Sequence, residues 1–228
     1  AYEIMPCDWS SDVCSSDLGR KIMRTVDVSV ITDNIKEMCI EANHYLSKDM
    51  DKAMKDAAGA EESPLGRQIL EQLQENLKIA AGDMIPICQD TGMAVVFIEA
   101  GQDVHFVGGS LEDAVNEGVR KGYTEGFLRK SVVGDPVIRE NTKDNTPAVI
   151  HYRIVPGENV TVKVAPKGFG SENMSRVFML KPADGLDGVK HAVLTAVKDA
   201  GPNACPPMVV GVGIGGTFEK CEIGRAHV

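Results

Sequence analysis

The first long stretch of periodic apolar positions begins near Thr32. Ile35, Met38, Cys39, Ala42 and Leu46 recur at three- and four-residue steps, which predicts a helix with one buried stripe. Ser63-Pro64 reads as an N-cap followed by proline at the first helical position, and Ile69, Leu70, Leu73 and Leu77 form the expected buried face of the helix it opens. The run MAVVFIEA at 93–100 changes the period and predicts a buried strand, with a second short strand at Val104–Val107. Ser110-x-x-Asp113 resembles a capping box and opens a helix towards Phe127. AVIHYRIV (148–155) and NVTVKVA (159–165) are β-rich, and the Pro156-Gly157-Glu158 between them predicts a hairpin. In the second of these, Val160, Val162 and Val164 alternate with polar residues, so one face is expected to be wet. A helix over 187–200 stops at Gly201-Pro202, and MVVGVGIGG (208–216) predicts a strand running into a glycine turn. With no repeat and no long linker, the pattern predicts a single mixed α/β (α+β) domain, with a mixed, partly antiparallel sheet and covering helices.

The two ends break this pattern. Residues 1–18 hold the only Trp and two cysteines without periodicity, and EIGRAHV at 222–228 is equally abrupt. Both read as translated adaptor sequence, with Met23 as the native start. The expected organisation is a non-native leader over 1–22, a catalytic-type domain over 23–221 cut short at its C-terminus, and a non-native tail over 222–228. The alternative for the leader is a natural disordered segment. It is not a signal peptide, since it lacks a basic start and an apolar stretch.

Composition narrows the function classes. Hydrophobic residues make up 43% and charged residues 25%, an ordinary globular balance. A net charge of −9 argues against nucleic acid as a partner, because phosphate contacts need clustered Lys and Arg. It leaves room for a small anionic substrate held by a few local cations. No apolar stretch approaches the roughly 20 residues that cross a bilayer. Six cysteines, at 7, 14, 39, 88, 205 and 221, are too sparse for a disulfide scaffold, which favours reduced thiols and a cytoplasmic location.

Four loop-like stretches carry reactive groups: ICQDTG (87–92); LRKS (128–131) with RENTKDNTP (139–147); APKGFGSENMS (165–175); and GPNACPPMVVGVGIGGT (201–217). Cys205 precedes two prolines, which stiffen the chain and suit a ligand of fixed geometry. Its alternative reading, and that of Cys88, is a buried inert thiol; Cys39, on a helical stripe, is read as such. GVGIGG matches G-x-G-x-x-G only weakly, because the required acidic residue about 20 positions on falls past the chain end. KGFGSEN combines glycines that admit an anion to the backbone with a lysine, although the P-loop order is absent. Arg129 can grip a carboxylate with two parallel hydrogen bonds; its alternative role is compensating a helix C-terminus. His44, His105, His151 and His191 are assigned no role.

Taken together and in order, ICQDTGMAVVF, GFLRKSVVGDP, NTKDNTPAVIHY, APKGFGSENMS and NACPPMVVGVGIGGT closely resemble the α subunit of class I, iron–sulfur-dependent fumarate hydratase, a family that includes L-tartrate dehydratase. The resemblance spans about residues 23–221. It implies a [4Fe–4S] cluster held by three thiolates, two of them Cys88 and Cys205, with the third beyond this chain; Cys221, 16 residues after Cys205, lies in a different motif. It places Gln89 and Arg129 on the carboxylates of a four-carbon dicarboxylate, lines the pocket with Lys167 and Gly170, and makes Asp90 the candidate for acid–base work. It further implies a β subunit that completes the site, a higher oligomer, and an α chain inactive alone. The expected reaction is reversible hydration of fumarate to L-malate, favoured over tartrate by NMSRVFMLKP and the ACPP region. Alternatives from other classes are a nicotinamide-dependent oxidoreductase using GVGIGG and a non-catalytic metal-binding subunit.

Overall fold

The computed structural model describes residues 23–223. The readings made of residues 1–22 and of the last five residues, with Cys7, Cys14 and His227, lie outside them.

Chain order is β1 (Arg24–Asp27), α1 (Val28–His44), α2 (Lys48–Ala60), α3 (Pro64–Asp83), β2 (Met93–Gly101), β3 (Val104–Val107), α4 (Leu111–Glu125), β4 (Val149–Val155), β5 (Val160–Lys167), α5 (Phe169–Asn173), α6 (Gly185–Ala200) and α7 (Phe218–Ile223). The architecture is mixed α/β, as the hydrophobic pattern predicts. The helix starts are set by side-chain caps: Asp27 accepts from Ser29 N–H, Ser63 from Gly66 N–H and Ser110 from Asp113 N–H.

Two sheets form. β1 and β3 make a short parallel pair, and the main sheet has the order β4-β2-β5. β2 is the centre strand, parallel to β4 and antiparallel to β5. The predicted β4–β5 hairpin is therefore incorrect. β2 is the most apolar strand, with most of its residues buried, and such a strand belongs in the sheet centre, where both edges are hydrogen-bonded. It separates β4 from β5, and Pro156-Gly157-Glu158 arches past its end. Gln102 N–H donates to Val155 C=O, Asp103 N–H to Gly157 C=O and Gly101 N–H to Asn159 C=O.

One face of the sheet packs on α1 and α4. Ala94, Val96 and Ile98 meet Ile35, Val115 and Val119 in the core, where Cys39 is fully buried as expected. Burial pushes the Cys39 thiol up to about 12, which keeps it neutral. The two helices approach closely at Gly118, where a Cβ would lie 2.7 Å from Thr32 C=O. The Thr32 hydroxyl donates across the same seam to Ala114 C=O at 2.9 Å.

The opposite sheet face, carrying Met93, Val95 and Phe97, looks into a cavity of about 1580 Å³. Its far wall is α6, the stretch 174–182 and the stretch 204–222. The strand expected over 208–216 does not form, because this glycine-rich stretch runs along the cavity with no strand edge beside it. α3 also departs from expectation: Leu70 is buried, Leu73 and Leu77 are half-buried and Ile69 is exposed, because α3 packs chiefly on the exposed α2. None of the described helices is long and apolar enough to cross a membrane.

Candidate active site

The chain leaves α3 through Met84 in the left-handed conformation and enters the ICQDTG loop at Ile87. Ile87 is pinned from two sides. Its N–H donates to Asn43 C=O of α1 at 2.8 Å, and its C=O accepts from the Asn76 amide of α3 at 2.8 Å. Cys88 follows on the surface. Its thiol donates to Gln89 Oε1 at 3.3 Å, and Asp90 N–H points at its sulfur at 3.4 Å.

Asp90 joins two loops. One carboxylate oxygen accepts from Gly92 N–H at 3.1 Å, closing the turn, and the other accepts from Phe169 N–H at 3.0 Å, capping the KGFG segment. The approach is tight enough to require glycine: Gly92 sits at φ +69°, and a Cβ there would fall 2.4 Å from Lys167 C=O.

The LRKS stretch arrives on the other side. Thr91, almost fully buried, accepts from Arg129 N–H and donates to Arg129 C=O. The buried Tyr123 hydroxyl donates to Thr91 C=O at 2.7 Å. Burial raises the Tyr123 phenol above its ordinary value, so it stays a donor. The Asn145 side chain, from the 139–147 stretch, contacts both loops: it donates to Gly92 C=O and accepts from Ser131 and Val132 N–H. Asn141 holds Lys130 C=O at 2.8 Å.

The fourth stretch joins through Gly170, where a Cβ would lie 3.4 Å from Asn203 C=O, two residues before Cys205. Cys205 is exposed and adopts φ +54°, a conformation that costs a non-glycine residue on the order of 1–2 kcal/mol.

The four predicted stretches thus form one connected set of loops. Gln89 and Arg129 are exposed, and no ion pair or hydrogen bond holds the Arg129 guanidinium among the described residues. Lys167 differs from expectation in one respect. Its ammonium is held by Glu172 at 3.0 Å and Ser171 at 2.9 Å, so its charge is already partly matched. The Cys221 thiol donates to Phe218 C=O, and its main chain lies against Gly213 of the fourth stretch. The GVGIGG stretch has no strand before it and only the short α7 after it, so the strand–turn–helix context of a dinucleotide site is missing among the described residues. Sequence reasoning assigned no role to Thr91, Tyr123 or Asn145. The first and last lie inside motifs already singled out, whereas nothing in its helical pattern marks Tyr123.

The sequence pattern described as fumarate hydratase (Fumerase) matches residues 32–225. The chain belongs to the fumarate hydratase family. Among relatives within it is a Methanocaldococcus jannaschii protein provisionally named L(+)-tartrate dehydratase subunit alpha. It is 39% identical over 199 residues, covering 83% of this chain and 68% of that protein. The L(+)-tartrate dehydratase subunit alpha of Escherichia coli K12 is 27% identical over 199 residues, covering 86% of this chain and 65% of the relative. The chain therefore spans about two thirds of the length of these relatives. Both relatives are named for tartrate, whereas the sequence motifs point to fumarate.

Proposed function

We propose that the chain is the α-type part of a hydro-lyase that adds water to, or removes it from, a four-carbon dicarboxylate. The observation carrying this reading is that Asp90, Thr91 and Asn145 tie the Cys88 loop to the Arg129 loop and to the 167–170 segment, with Cys88 exposed on the first and Cys205 exposed on a stretch that meets Gly170 through Asn203.

Dehydration of a 2-hydroxydicarboxylate needs three services: grip on both carboxylates, removal of a proton beside one of them, and stabilisation of departing hydroxide. Arg129 offers two parallel donors to one carboxylate, and the Gln89 amide offers a donor to the other. Asp90 is the candidate acid–base group, or orients the one that acts. Lys167 and Gly170 would line the same region, with the Lys167 charge tempered by Glu172.

The donor set suits an iron–sulfur cluster in kind. Cys88 and Cys205 are exposed sulfur ligands on loops linked through Phe169 and Gly170. In number it is incomplete, since no group of three or more metal-ligating side chains assembles among the described residues. Cys88 and Cys205 would hold a [4Fe–4S] cluster together with a thiolate from outside them. When bound, the cluster supplies Lewis acidity that favours loss of hydroxide. A β-type partner, in keeping with relatives named as α subunits, would complete the site within a higher oligomer.

Between the two substrates, the names of the relatives favour L-tartrate, and the family description keeps L-malate and fumarate in play. The test is anaerobic reconstitution of the full-length subunit with iron, sulfide and its partner, followed by turnover of L-tartrate, L-malate and fumarate. Tenfold or greater preference for one, on the scale of a single lost or gained polar contact, assigns the substrate. No turnover of any of the three overturns the reading.

A further inference from the structure

The loops carrying Gln89–Asp90 and Arg129 belong to different parts of the chain, and neither is held in a strand or helix there. Their spacing is set by buried side chains. Asn145 is fully buried. Its Oδ1 accepts from Ser131 N–H at 2.8 Å and Val132 N–H at 3.1 Å, and its Nδ2 donates to Gly92 C=O at 3.1 Å. Three of the bonds that this amide can make therefore end on the backbones of the two loops. Its backbone sits at φ +63°, a region that Asn tolerates better than most residues. Both the main chain and the side chain thus select Asn. The segment is braced from behind: Asp144 accepts from Thr146 N–H and from Arg120 of α4.

The geometry points to Asn145 as a positioning residue that sets the distance between the Gln89–Asp90 pair and Arg129, with Thr91 as the second strut. In this role, which rests on the proposed dicarboxylate chemistry, Asn145 touches no substrate. It fixes where the two carboxylate-gripping groups stand. A side chain that merely filled space would lower stability without changing that spacing.

Asn145→Asp separates the two roles. The shapes match, and the two bonds accepted by Oδ1 survive, but the donor to Gly92 C=O becomes an oxygen that repels it. In the 228-residue chain, amide exchange at Gly92, whose N–H is held by Asp90, should rise roughly tenfold while Ser131 and Val132 stay protected. In the reconstituted enzyme, KM for the dicarboxylate should rise roughly tenfold with kcat changed less than about threefold. Val115→Ala, a buried truncation in α4, is the stability control and should leave both readouts at wild-type values. Unchanged exchange and KM in Asn145→Asp, or changes no larger than those of Val115→Ala, overturn the proposal. If Asn145→Asp does not fold, Thr91→Ser and Thr91→Val replace it. Serine keeps the hydroxyl shared with Arg129 and should retain wild-type exchange, whereas valine should open the loop; equal behaviour of the two overturns the proposal. A wild-type enzyme with no dicarboxylate turnover would refute the proposed function and leave the exchange result standing. Full turnover with unchanged KM in Asn145→Asp would refute the strut alone.

Discussion

Thr91 and Arg129 hold each other through one hydroxyl: Thr91 Oγ1 accepts from Arg129 N–H at 2.9 Å and donates to Arg129 C=O at 3.1 Å. Both main-chain groups of Arg129 are thereby satisfied by a buried side chain from the Cys88 loop, while the guanidinium is exposed and has no partner among the described residues. A fixed backbone with an uncommitted charged head is the arrangement expected of an anion grip, because the loop is ordered before the ligand arrives.

Arg129→Lys should therefore leave stability within about 0.5 kcal/mol, since no side-chain partner is lost. It should raise KM for the dicarboxylate on the order of 10- to 100-fold, because an ammonium cannot make the two parallel bonds of a guanidinium. Steady-state kinetics on the reconstituted enzyme reads this, and an unchanged KM removes Arg129 from the substrate.

Asp144 supports the same loops, and its titration can be followed. Burial pushes its carboxyl up, but hydrogen bonds from the Thr146 N–H and hydroxyl and from Arg120, together with the Arg120 charge, outweigh burial and hold it at about 2, below the ordinary 3.8. A carboxylate whose pKa is lowered by folding contributes stability that is complete above pH 3.8 and is lost as pH falls towards 2. Asp144→Asn should cost about 1 kcal/mol at neutral pH, and the gap from wild type should close between those two pH values. Thermal melts of both proteins across the acid range check this. A gap constant with pH would mean that the Arg120 and Thr146 bonds do not depend on the charge.

Much of this arrangement could be read from the chain because it is local. The caps at Ser63 and Ser110, the stripe bearing Cys39 and the apolar run of β2 each follow from side-chain spacing within a few residues. The loop motifs could be located for the same reason, since Gly, Pro and polar residues cluster where strands and helices stop. What local pattern could not supply was pairing. Pro156-Gly157-Glu158 looks like a hairpin turn, yet β2, some 50 residues earlier, takes the place between the two strands. The partners of Thr91 and Asn145 lie 38 and 53 residues away along the chain, and that of Lys167 depends on how α5 folds back. The MVVGVGIGG stretch has the composition of a buried strand, but an apolar run becomes a strand only where an edge is offered to it.

Lys167 offers a direct test of whether its charge serves the substrate. Glu172 now takes it at 3.0 Å, with both side chains partly exposed, so the pair itself stabilises the fold by no more than about 0.5 kcal/mol. Glu172→Gln removes the competitor and leaves an uncharged acceptor in place. If Lys167 reaches a substrate carboxylate, KM should fall, by roughly two- to fivefold on the scale of a surface pair. An unchanged KM would assign Lys167 to α5 alone.

The four cysteines of the described residues divide by environment, and their reactivity should divide in the same way. Cys88 and Cys205 are exposed, Cys221 is half-exposed and hydrogen-bonded to Phe218 C=O, and Cys39 is buried with its thiol pushed up to about 12. Because the thiolate is the nucleophile, iodoacetamide should modify Cys88 and Cys205 within minutes in the native chain. Cys39 should react only as fast as the α1–α4 core opens, slower by several orders of magnitude. Peptide mass spectrometry resolves the four sites. After anaerobic reconstitution with iron and sulfide, Cys88 and Cys205 should become protected together and in proportion to bound iron, while Cys221 and Cys39 keep their rates. The pairing matters more than the protection. A single protected thiol can be shielded by a moved loop, but two thiols on separate loops that titrate with one iron count must share a cofactor. Were Cys205 to stay reactive in iron-loaded protein, the ligand assignment would fail at that residue.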